Sequence, residues 1–164
     1  MNQETVNYDD PRSKPQLKTG LNVLTILTFI GCAYELYSAF KNYSGGQEAL
    51  EKFDQAQDKM ASAPDWAKKM ASPEVREVMV KSLDNKIPLL VISLVSIGLC
   101  IFGALEMRKL KKQGYFIWLT GEILPYIGIA IFVPMLFSTY LAFILIFPIL
   151  FIILYTVQKK NLLY

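Results

Sequence analysis

Apolar residues in this chain are gathered into long blocks, and the lengths of those blocks predict its architecture. The first, 20–42 (GLNVLTILTFIGCAYELYSAFKN), and the second, 87–107 (IPLLVISLVSIGLCIFGALEM), match the roughly 20 apolar residues that a helix needs to cross a bilayer core. A third stretch, 115–157, is too long for one crossing, since as a single helix it would run about 64 Å, roughly twice the core. It is expected to fold back. Pro134 limits the helix there, and the hydroxyls of Ser138 and Thr139 can bond backbone groups freed by a break. The spans then read 115–135 and 140–157 around a turn at 136–139, with one re-entrant segment as the alternative to two crossings.

Polar residues divide into a tail (1–19), a long loop (43–86), a basic turn (108–114) and a second tail (158–164). Within the loop, Gly45 and Gly46 are expected to break the first helix. After them Leu50, Phe53, Ala56 and Met60 recur at helical spacing. Pro64 interrupts, leaving Trp66 and Met70 on a short turn. Ser72–Pro73 reads as an N-cap followed by proline at the first helical position, with Glu74 and Glu77 in the first turns. Val75, Val78, Met79 and Leu83 then form an apolar stripe. The predicted fold class is therefore an all-α membrane protein: a four-transmembrane-helix bundle with a small helical extracytoplasmic cap between the first two spans.

The composition, 53% hydrophobic and 13% aromatic over 164 residues, agrees with that class. A net charge of +3 gives no global basic field, so no nucleic-acid partner is expected and the bilayer itself is the first partner. The chain has no histidine, which removes the commonest general base and the commonest metal ligand together. The spans also lack a Ser–Lys or paired-Asp constellation, so neither an enzyme nor a metal or cofactor is expected. Cys32 and Cys100 lie inside apolar runs without CxxC spacing and read as small packing residues. The polar start lacks the short hydrophobic region and cleavage site of a signal peptide, and no lipidation signature is evident; the first span is expected to stay in the mature protein.

Positive charge sets the expected orientation. Arg12, Lys14 and Lys18 of the first tail, Arg108, Lys109, Lys111 and Lys112 of the turn, and Lys159 and Lys160 of the last tail fall on one side of a four-span layout. The positive-inside rule makes that side cytoplasmic, N-in and C-in, and puts 43–86 outside.

Three carboxylates, Glu35, Glu106 and Glu122, border or enter the apolar runs, where ionisable groups are costly and become functional candidates. Glu106 and Glu122 are expected to pair with cations of the basic turn, whose long stems can reach back along the helix. Glu35 has no such neighbour, Lys41 being the nearest along the chain, and is expected either to bond tyrosine or serine hydroxyls or to be protonated. Ser96, Cys100 and Ala104 make a small-xxx-small face on the second span, suited to close approach by the first span or by a second copy. Pro125 and Pro148 are expected to kink their helices.

The stretch MRKLKKQGYFIWLTGEILP resembles the turn between the second and third spans of an uncharacterised family of small four-span inner-membrane proteins of bacteria. That resemblance implies a multi-pass location in the cell inner membrane and transfers no activity or residue roles. The expected function is an accessory or scaffold subunit that binds another membrane protein or itself; the alternative is a small oligomeric transporter or channel using the intramembrane glutamates.

Overall fold

The computed structural model describes residues 17–59, 64 and 72–163, with the backbone alone at 58–59 and 137–144. These residues form helices α1 (Thr19–Lys59), α2 (Pro73–Asp84), α3 (Lys86–Arg108), α4 (Lys112–Phe132) and α5 (Pro134–Gln158), then a 3-10 turn at Lys159–Asn161. No strand occurs among the described residues. Within α1, and across α3 and α4, the chain is long and apolar enough to cross a membrane three times.

The first departure from expectation is the length of α1. Its 41 residues make a rod about 61 Å long, so its second half runs past a bilayer core of about 30 Å. Gly45 and Gly46 do not break it. A helical glycine costs only about 1 kcal/mol against alanine, and Gly46 has a packing role. A Cβ there would stand 2.5 Å from Cδ2 of Leu83 on α2. Farther along, Arg76 donates to both oxygens of Asp54, from Nε at 2.7 Å and from Nη2 at 2.9 Å. The outer half of α1 and α2 thus lie antiparallel. α2 begins as expected, with Ser72 as N-cap, Pro73 in the first turn, and the Val75 and Arg76 N–H groups donating to the Ser72 carbonyl at 3.1 and 3.2 Å. Met60, Trp66 and Met70 lie outside the described residues.

The basic turn is shorter than 108–114, with only Lys109–Lys111 outside the flanking helices. Leu110 bends it with a φ of 62°. Left-handed backbone costs an L-residue roughly 1–2 kcal/mol, and burial of the Leu110 side chain to 6% exposure offsets that strain.

A second correction concerns the reversal expected at 136–139. The break falls at Val133 (φ −138°, ψ 57°), and α5 resumes at once with Pro134, where a missing N–H loses no intrahelical bond. Residues 136–139 are helical. The chain still folds back, because the Tyr115 and Thr156 hydroxyls share a 2.8 Å hydrogen bond and the Trp118 and Tyr155 rings lie 4.2 Å apart. Pro125 and Pro148 each sit inside a helix that continues on both sides of the proline.

α3 and α4 pack most closely, and the small-residue face of α3 meets α4. Ser96 Oγ donates to the Gly121 carbonyl at 2.6 Å, and Cys100 Sγ to that of Trp118 at 3.8 Å; Ala104 is fully buried. α4 answers with Gly114, Gly121 and Gly128. That spacing of seven keeps a seam facing its partner when two helices wind left-handed. A Cβ on Gly121 would stand 2.8 Å from Cys100 Sγ, and one on Gly103 would strike the Trp118 backbone. Ile30, Phe102, Ile131 and Phe147 are more than half exposed. Such surfaces suit lipid as the solvent.

Candidate functional site

All the helix ends nearest the basic turn meet at one end of the bundle. Arg108 Nη1 donates to Asn22 Oδ1 at 2.8 Å and to Thr25 Oγ1 at 3.1 Å, tying the close of α3 to the start of α1. The Leu163 N–H donates to the Leu110 carbonyl at 2.9 Å, and Lys112 Nζ to the Leu163 carbonyl at 3.1 Å. Glu106 is the clasp of the turn. Lys109 Nζ lies 2.7 Å from its Oε1 and Lys111 Nζ 2.6 Å from its Oε2, with the carboxylate side chain 5% exposed. Both lysine backbone N–H groups also donate to the Glu106 carbonyl at 3.1 Å. This carboxylate is occupied in shaping the turn.

Glu122 does not join it. Among the described residues no basic side chain pairs with Glu122 or with Glu35. The two line one cavity of ≈ 170 Å³ together with Thr28, Cys32, Cys100 and Tyr126, and α5 closes it with Pro148 and Phe151. The local sequence explains the convergence. Thr28, Cys32 and Glu35 fall at i, i+4 and i+7, one stripe of α1. On α4 the Gly121 position is pressed against α3, which turns the adjacent Glu122 and, one turn on, Tyr126 towards α1 and α5. Pro148 is buried in the opposing wall. Pro125, one turn beyond Gly121, removes the donor that would have bonded the Gly121 carbonyl, and Ser96 supplies the replacement.

Chemically, the cavity offers two carboxylates, a phenol, a threonine hydroxyl and two thiols. The thiols of Cys32 and Cys100 are free and face the same cavity from α1 and α3. The Thr28 hydroxyl is bonded to that of Tyr155 at 2.7 Å. No group of three or more His, Cys, Asp or Glu side chains among the described residues is disposed to hold a metal. Glu35 is exposed and Glu122 half-buried, so the cavity opens on the molecular surface at membrane depth. Sequence reasoning singles out both glutamates but not their meeting, nor Tyr126 and the two thiols that join them. The stripe 28–32–35 is the available signal. No family model, curated protein or solved structure matches the chain.

Proposed function

We propose that this chain is a four-span protein of the bacterial cytoplasmic membrane, N-in and C-in, that serves as an accessory subunit for another membrane protein. The fourth crossing is α5, whose 25 residues make about 37 Å of helix folded back on α4. Clustering of Lys18, the basic turn, Lys159 and Lys160 at one end supports a cytoplasmic assignment for that end. The resemblance of the basic turn supports the bacterial membrane. One observation carries the functional reading: two carboxylates that pair with no cation among the described residues share a cavity that opens at membrane depth. Hydrocarbon cannot solvate such groups, whereas a polar or basic side chain of a neighbouring span can. Purification in gentle detergent followed by mass spectrometry tests this. The wild type should retain a foreign membrane protein that Glu35→Gln/Glu122→Gln loses. Recovery of the wild type only as a homo-oligomer sinks the reading.

The placement of both carboxylates in one cavity also favours a second reading, a small oligomeric transporter in which Glu35 and Glu122 carry a proton or cation. Flux into proteoliposomes by the wild type, abolished by Glu122→Gln with the fold intact, would replace the accessory reading with this one.

A further inference from the structure

A second cavity lies away from the glutamates, at the end of the bundle opposite the basic turn, and measures ≈ 420 Å³. All five helices contribute to its wall, which is mostly apolar: Leu83 from α2, Leu89 and Leu90 from α3, and Ile129 from α4. Its serines offer a ligand little. Ser82 Oγ donates to the Val78 carbonyl at 2.7 Å and Ser93 Oγ to that of Leu89 at 2.9 Å, each within its own helix. The cation at its wall is Lys86, whose Nζ stands 5.3 Å from the centre of the Tyr43 ring. Among the described residues no carboxylate lines the cavity, and none pairs with Lys86.

The order of these groups along α3 is directional. Lys86 is the first residue of the helix, at the membrane boundary, and Ser93 lies seven residues farther in, about 10 Å deeper. A positive rim therefore leads into an apolar slot that points towards the bilayer centre. A ligand that satisfies both has an anionic head and a hydrocarbon chain. The cavity is also flanked by surfaces that face lipid, such as Val91 and Ile131. A lipid of the surrounding leaflet is thus the molecule most concentrated at its mouth.

We propose that this cavity binds an anionic phospholipid of the leaflet at the Lys86 end, with the headgroup phosphate on the Lys86 ammonium and one acyl chain running past Leu89 to Ser93 and Ile129. The proposal is independent of the accessory reading and of the glutamate cavity. It charges Lys86 with headgroup selection and the α3–α4 wall with chain binding.

The test reconstitutes the full chain in phosphatidylcholine vesicles doped with a lipid whose acyl chain bears a mid-chain diazirine, and maps the photoadducts by mass spectrometry. Photoactivatable phosphatidylglycerol should label the peptides holding Ser93 and Ile129 about fivefold more than photoactivatable phosphatidylcholine, the contrast expected of one interfacial lysine. Lys86→Gln should bring the phosphatidylglycerol signal down to the phosphatidylcholine level while leaving labelling of outward-facing Ile127 unchanged. Ser93→Phe, which fills the slot, should remove the specific signal for both lipids. Labelling at Ser93 and Ile129 that is indifferent to headgroup and to Lys86→Gln overturns the proposal. So does labelling there by a photoactivatable fatty acid but not by the phosphatidylglycerol. Lys86→Gln removes only a half-buried ammonium at a helix start, so the test stands even if Ser93→Phe fails to fold.

Discussion

The Ser96 hydroxyl, 2.6 Å from the Gly121 carbonyl, answers a deficit that Pro125 creates four residues on. A carbonyl left without a donor in a dry interior is costly, so Ser96→Ala should lose about 1 kcal/mol of stability. In a Pro125→Ala background the restored N–H serves the carbonyl, and the same Ser96→Ala change should then cost close to nothing. Unfolding by denaturing detergent, followed for the four variants of this cycle, decides the matter; equal losses in both backgrounds would refute the account. A second comparison isolates the glycine seam. Gly121→Ala sets a methyl 2.8 Å from Cys100 Sγ and 2.9 Å from its backbone nitrogen, an overpacking worth about 1–3 kcal/mol. Gly98→Ala meets nothing within 4 Å and should leave stability unchanged or raised. Ser96 and Cys100 were legible as a packing face from their spacing alone. Their partner was not, because three glycines seven apart carry no hydrophobic signal and become a seam only once α4 is known to turn back beside α3.

Helix α1 and its partner α2 are joined by packing at Gly46 and by the fork of Arg76 on Asp54. The Arg76 guanidinium holds the Asp54 carboxyl below its ordinary range, and this pair lies on the half of α1 that exceeds the length of a bilayer core. A depressed carboxylate stabilises the docked form above its unfolded pKa and loses that contribution as pH falls through the folded value. Docking of α2 should therefore be indifferent to pH near neutrality and weaken only below the usual carboxylate range. Hydrogen exchange of residues 73–84 between neutral and strongly acidic pH measures this. Asp54→Asn should exchange faster at neutral pH and lose most of the acid-induced change; an identical pH profile in the variant refutes the pairing. The start of α2 was readable because Ser72–Pro73 is a local signal. The continuity of α1 was not, since Gly45–Gly46 is a breaker by composition and a close-packing device only when Leu83 is placed against it. The same limit governs Val133. Ser138 and Thr139 looked like turn chemistry, yet a proline is most at ease in a first helical turn, so the break moved to the residue before Pro134.

Across the molecule the charges are unevenly placed, with the lysines of the basic turn and last residues at one end and the Asp54–Arg76 pair at the other. The orientation proposed above is checked with Cys32 and Cys100 changed to alanine and single cysteines introduced in turn. A cysteine at Gln55 should react with an impermeant thiol reagent in intact cells, and one at Gln113 only after lysis; the reverse outcome inverts the topology. Membrane class was plain from the apolar blocks, while the meeting of Glu35 with Glu122 depended on how four helices rotate about their axes, which no local pattern encodes. The unbroken course of α1 makes the protein a lever. With a rod of about 61 Å, a tilt of about 10° at the basic end sweeps the far tip through about 10 Å. Helices tilt to match the thickness of the bilayer around them. With no hinge at Gly45 and Gly46, any tilt of the first half of α1 would be carried to its far end, where α2 packs.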